Sequence, residues 1–156
     1  MKFLPGVEIQ RYERQQKREN RGDLFLDNQK TNNMKNAINW FEIPVKNFNR
    51  ARVFYETILD SKMHLMEAMG MKSAFFPADL QGGGIGGCII QGEGYEPSVN
   101  GSLIYLNGGI DLNISLDKVE AAGGKILMSK TAIGPNGFMA HFLDTEGNKV
   151  AIHSMK

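Results

Sequence analysis

Between Asn36 and Leu59 the spacing of apolar positions changes once. From Asn36 to Val45 apolar and polar residues alternate. Phe41, Ile43 and Val45 fall on one face and Trp40, Glu42 and Pro44 on the other, which predicts a half-buried strand. After a break at Lys46–Asn47 the period lengthens. Ala51, Phe54, Tyr55 and Ile58 recur at i, i+3, i+4 and i+7, the continuous stripe of an amphipathic helix. Asn47 or Asn49 can cap its start, and Asp60–Ser61 end it. The stripe is expected to pack on the Phe41/Ile43/Val45 face.

Three strands are predicted next: Met63–Met69, Met71–Asp79 after a turn at Gly70, and Ile85–Gly92 after the glycines at 82–84. Residues 93–100 read as a linker. The first half, about 36–92, is thus β-α-β-β-β. Residues 101–154 repeat the order. SLIYL is a strand, and Asp111 can cap a helix with Leu112, Leu116 and Val119 on one face. Gly123–Gly124 supply a left-handed turn, followed by the strand KILMSKT, the turn GPNG, a strand over Phe138–Leu143, the turn DTEGN and a last strand KVAIHS. Sliding the halves by 63 residues sets Ile43 on Leu106, Glu42 on Tyr105 and Met63 on Ile126. The repeated order and polarity predict a duplicated α+β domain.

Residues 1–33 have a different character. Arg11–Arg21 mix both charge signs with amides and offer no apolar face, and Leu24–Leu26 is too short for a core. They read as a mobile or loosely docked extension ahead of a domain over 34–156. Two alternatives stand beside this: a helix that engages a partner, and a natural start at Met34.

Composition changes the picture only in what it excludes. A formal net charge of +1 over 156 residues gives no support to a nucleic-acid or acidic-membrane partner. The single cysteine, Cys88, allows no intramolecular disulfide and no CxxC motif, which fits a reducing, cytoplasmic setting. No apolar run reaches the roughly 18–20 residues that cross a bilayer, and the first apolar run breaks at Pro5–Gly6, so no signal-peptide core forms. The glycine cluster Gly82–Gly87 precedes a strand and not a helix. It therefore lacks the helix N-terminus of a phosphate loop and is expected to form a hairpin lid. Cys88 reads as a buried thiol, and the methionines as core and interface fillers.

The opening WFEIPV…RAxxFYExxL, the junction KVEAAGGKIL and the ending FLDTEGNKVAIHS together resemble the vicinal oxygen chelate superfamily. That group comprises glyoxalases, bleomycin- and fosfomycin-resistance proteins and extradiol dioxygenases. Within it the chain is most similar to small glyoxalase-like proteins of bacteria, over Asn36–Ser154. The resemblance implies two βαβββ modules whose curved sheets enclose a shared cup, and a homodimer. In metal-dependent members four side chains of the cup hold a divalent ion. The resemblance places Trp40, Leu103, Ala151 and Gly87 or Cys88 at those positions, and indole, isobutyl and methyl groups cannot ligate a hard cation. No cofactor is therefore expected. The alternative is a divalent metal on relocated ligands drawn from Glu42, His141 and His153. His64 reads as an edge residue.

If Trp40 points into the cup, alternation also sends Glu42 inward, and Leu103, Tyr105 and Asn107 from the second module. His153 shares the face of Ala151. Phe75 and Phe138 are further candidates for the lining. Glu42 reads either as an acid or base, or as an acceptor for Tyr105 or a backbone amide that ties the modules together. The expected function is binding of a small organic molecule in the cup. Two rivals are a metal-dependent lyase or isomerase of glyoxalase type and a dimeric interaction module.

Overall fold

The computed structural model describes residues 36–156. The expectation for residues 1–33 lies outside them. The first strand, β1 (Trp40–Pro44), leads into α1 (Phe48–Leu59). Asn47 caps that helix by accepting the Arg50 N–H, and Asp60 closes it in the left-handed conformation at φ 48°. Ala51, Phe54, Tyr55 and Ile58 are its buried residues, the same stripe that the 3.6-residue period predicts. Next come β2 (His64–Ala68), β3 (Met71–Phe75) and β4 (Gly86–Gln91). β3 stops short of the expected Asp79 because Pro77 has no N–H to give to a ladder.

The second module runs β5 (Tyr105–Asn107), α2 (Asn113–Val119), β6 (Lys125–Ala132), a 3-10 turn at Gly134–Asn136, β7 (Phe138–Leu143) and β8 (Lys149–Ser154). β5 is shorter than SLIYL suggests, so Leu103 precedes the strand and is half-buried. Asp111 accepts the Asn113 N–H at 3.0 Å and the Lys130 ammonium at 2.8 Å, and so serves the start of α2 without occupying the cap position itself. Leu112, Leu116 and Val119 are buried as predicted.

Each module forms its own four-stranded mixed sheet, in the orders β1-β4-β3-β2 and β5-β8-β7-β6. This is the α+β glyoxalase-like fold. The parallel pairs preserve the 63-residue offset: Glu42 lies opposite Cys88 and Tyr105 opposite Ala151, while Pro44 faces Ile90 and Asn107 faces His153. In the next strand the offset grows to 66, since Ala74 lies opposite Ile89 but Ala140 opposite Ile152. The extra residues fall in the β6–β7 hairpin, whose pairing slips at two places along β6.

Both modules contribute to one core. Phe54 of α1 lies 5.9 Å from Phe142 on β7, and Tyr55 meets Phe76 edge-on at 5.3 Å. Full burial of the Phe54 and Phe142 rings is worth about 1.5–3 kcal/mol each. Polar contacts add a second seam between the modules. The Tyr55 hydroxyl donates to Asp144 Oδ2 at 2.7 Å, and Asn148 Nδ2 donates to the Pro44 carbonyl at 2.8 Å. Glu146 accepts from the Asn47 N–H and from Arg50 Nε, each at 2.8 Å. Burial acts to raise the Glu146 pKa, but Arg50 and the Asn47 N–H outweigh it and hold the group below the usual carboxylate range. No helix among the described residues is long and apolar enough to cross a membrane.

Candidate functional site

Cross-strand partners share a face, so register alone sorts the candidate residues. On the first sheet one face carries Ile43, Ile89 and Ala74 into the core. The other carries Trp40, Glu42, Cys88, Phe75 and His64. On the second sheet Leu106, Ile152 and Ala140 point to the core, and Tyr105, Asn107, Ala151, His153 and His141 share the opposite face. The candidate residues thus occupy the open faces of the two sheets. Tyr105 is 48% exposed and Trp40 38%, so large aromatic surfaces there face outward in the single chain.

Hydrogen bonds and ring contacts gather these residues into two groups. In the first, Glu42 accepts from Trp40 Nε1 at 3.3 Å and from the Tyr95 hydroxyl at 3.0 Å. The Trp40 ring is 5.7 Å from Phe75, which lies 6.2 Å from the His64 ring. His64 thus joins the aromatic group of this face, although the sequence offers it only as an edge residue. In the second, the Tyr105 hydroxyl lies 3.3 Å from His141 Nε2 and 3.6 Å from the Met139 sulfur. Glu42 therefore takes its hydrogen bonds from Trp40 and Tyr95, not from Tyr105. The modules are tied together elsewhere, by Tyr55, Asp144, Asn148 and Glu146.

Tyr95 comes from the linker, where sequence reasoning placed no site residue. Its hydroxyl pKa is raised, first by the hydrogen bond to Glu42 and then by that carboxylate's charge, so it stays a proton donor. Two contacts pin the linker: Lys46 pairs with Glu96 at 2.6 Å, and the Ser98 N–H donates to Asn148 at 2.9 Å. The available signal was an aromatic residue in a short connection between two duplicated units.

The three remaining polar candidates differ in what they leave free. His153 Nε2 lies 2.6 Å from the Asn136 carbonyl, so it must carry the proton and is committed to that turn. Asn107 Oδ1 accepts the Gly109 N–H at 2.9 Å and serves the turn after β5. His141 is held below the usual imidazole range, first by partial burial and then by Lys149. Its Nε2 lies within hydrogen-bond distance of the Tyr105 hydroxyl, and the imidazole tautomer decides which of the two donates.

The glycine cluster does two separate things. The N–H groups of Gly82 and Gly84 close a turn on Asp79 at 2.8 Å each. Gly86 and Gly87 lie inside β4, where an added Cβ would sit 2.6 Å from the Trp40 ring and 2.4 Å from the Phe41 ring. They are spacers for the two aromatics of β1, not part of a lid.

Cys88 is 2% exposed, and burial first, then the charge of Glu42, pushes its thiol up to about 11. At pH 8 the folded protein should react with a disulfide reagent about two orders of magnitude more slowly than the denatured chain. Its rate should then climb about tenfold per pH unit. Equal rates in the two states would show an open thiol.

The positions that the resemblance assigns to a metal hold Trp40, Gly87 or Cys88, Leu103 and Ala151. Their donor chemistry does not fit a hard divalent cation, since only the protonated, buried thiol has a lone pair to offer. The relocated set is dispersed as well, with Glu42 on the first sheet and His153 tied to Asn136. Among the described residues no group of three or more His, Cys, Asp or Glu side chains is placed to hold a metal ion.

Two βαβββ units with a shared core and two outward, aromatic open faces define a protein of the glyoxalase-like class. The model of the Glyoxalase/Bleomycin resistance protein/Dioxygenase superfamily matches residues 37–152, and the chain belongs to that superfamily. No curated protein matches it. Among solved structures it is similar to the fosfomycin resistance protein FosX of Listeria monocytogenes, at 16% identity over 78% of this chain and 92% of that one, with a TM-score of 0.54. A glyoxalase/bleomycin resistance protein from Streptomyces sp. CB03234 matches at 17% identity over 76% and 100%, with a TM-score of 0.55. A glyoxalase I variant from Zea mays reaches 24% identity over 72% of this chain but 44% of its own, at a TM-score of 0.55. Likeness at this level carries the fold. A FosX variant has been crystallised with Mn(II) and 1S,2S-dihydroxypropylphosphonic acid, which is a property of that protein.

Proposed function

We propose that this chain binds a small organic molecule on the open faces of its sheets, without the superfamily's metal quartet. The observation that carries the reading is the corner formed by Trp40, Phe75 and Glu42, where a half-exposed indole, a second ring and a carboxylate converge. Such a mixture of aromatic surface and few polar groups suits a flat or apolar ligand. A homodimer is part of the same proposal. Tyr105 and Trp40 leave their faces incomplete in one chain, and a second copy would cover them and set the half-sites opposite each other. The domain over 34–156, the extension before it and a cytoplasmic setting belong to this proposal too.

Two measurements on purified, tag-free protein test it. After exposure to Ni, Zn, Mn, Fe and Mg and removal of free ions, elemental analysis should find far less than one metal per chain. Light scattering should give a mass near twice 17.4 kDa. Near-stoichiometric metal would overturn the metal-free reading and point to Glu42, His141 and His153 across two copies. The reaction class would then be that of a glyoxalase-type lyase or isomerase. A monomer that still binds ligand would remove the second copy from the site.

A further inference from the structure

Among the described residues Glu42 has no ion-pair partner. Register places twelve residues of the first sheet's strands on its open face, from Trp40 on β1 to Ala68 on β2, and none is Lys or Arg. The other titratable groups there are His64 and the protonated thiol of Cys88. Lys46, in the break between β1 and α1, is paired with Glu96 of the linker at 2.6 Å. Both oxygens of Glu42 are instead served by neutral donors, Trp40 Nε1 and the Tyr95 hydroxyl. Neutral donors satisfy lone pairs but leave the net charge in place.

In the open chain, water compensates that charge. Any occupant that covers the face removes the water, and a carboxylate left without an opposite charge in a desolvated aromatic setting is strongly disfavoured. A neutral occupant would force the carboxylate to take up a proton, whereas an occupant that brings positive charge keeps it ionised and gains its attraction. The rings beside Glu42 favour the same sign, because the π-faces of Trp40 and Phe75 attract cations.

We propose that the ligand of this face is an organic cation, an ammonium or amidinium group carried on a flat apolar body. The charge lies at Glu42, between Tyr95 and Trp40, and the body lies against Trp40 and Phe75. Tyr95 is then a specificity-determining residue, since its hydroxyl fixes the carboxylate that reads the charge. This inference rests on the small-molecule reading above and adds the ligand's charge to it.

Trp40 is the chain's one tryptophan, so its indole N–H resonance in a proton–nitrogen NMR spectrum reports on this face alone. The full chain is titrated with three matched probes: naphthylmethylammonium, naphthylmethanol and naphthoate. The cation should bind at least about tenfold more tightly than the alcohol, and the carboxylate weakest. Raising the salt concentration should weaken the cation and leave the alcohol unchanged. In Glu42→Gln, at an exposed position, the preference for the cation should fall below about threefold while the alcohol's affinity stays the same. Binding of the alcohol or the carboxylate as tightly as the cation overturns the cation proposal and leaves the small-molecule reading standing. An indole resonance that none of the three probes moves overturns both for this face.

Discussion

Asp144→Ala is expected to lower the stability of the fold by about 4 kcal/mol, a large share of the roughly 5–15 kcal/mol that holds a domain of this size together. Asp144 is 4% exposed and sits where the modules meet. Its Oδ2 accepts the Tyr55 hydroxyl at 2.7 Å and Asn148 Nδ2 at 2.9 Å, and its Oδ1 accepts the backbone N–H groups of Glu146 and Asn148 at 2.9 Å each. Alanine would leave four donors without their acceptor. The fully buried Tyr55 hydroxyl could not turn to water, and burial already holds its pKa well above the ordinary phenol value. Urea unfolding followed by circular dichroism measures the loss, and the melting temperature should fall by roughly 8–16 °C. Tyr55→Phe removes one donor and leaves the others in place, so it should cost about 1–2 kcal/mol. A loss below about 1 kcal/mol for Asp144→Ala would mean that this seam does not hold the modules.

Gly124→Ala should cost about 3 kcal/mol, more than the same change at Gly123. The neighbours look equivalent in sequence, yet they are glycines for different reasons. Gly123 has φ 96°, where any L side chain is strained, and its Cβ would meet only the Thr145 methyl at 3.4 Å. That substitution should cost about 1–2 kcal/mol in backbone strain. At Gly124 a Cβ would lie 2.7 Å from the Leu143 carbonyl, 2.8 Å from the Phe54 ring and 2.9 Å from Val119. Phe54 is wholly buried and the carbonyl is backbone of β7, so neither can retreat without moving α1 or the sheet. Thermal unfolding of the two variants side by side checks the order. If Gly123→Ala were the more damaging, backbone strain and not close packing would limit this junction.

Much of the fold was legible because the signals are local. The period-two run at Phe41, Ile43 and Val45 and the helical stripe at Ala51, Phe54, Tyr55 and Ile58 state directly which side of each element seeks the core. The 63-residue repeat survives in the parallel pairs because the same pleat and partner recur in both modules. Where the repeat slips to 66, no local cue marks it, since a bulge depends on the strand across the way.

The candidate site was legible in its faces but not in its partners. Alternation is enough to put Trp40 with Glu42, and Tyr105 with Asn107, on the open sides. It cannot say that Glu42 would be met by Tyr95, 53 residues away on the linker, and not by Tyr105. Nor can it show that His153 is used up by the Asn136 carbonyl while His141 pairs with Tyr105.

By itself, then, the sequence determined the βαβββ duplication and the core face of each element. These follow from residue type and spacing along one chain. Only the tertiary structure decided that Asp144 gathers the buried donors of both modules, that Gly86, Gly87 and Gly124 make room for rings and backbone, and that Glu42 is held by the neutral donors Trp40 and Tyr95. Each of these depends on groups that are distant in sequence and near only once the chain has folded.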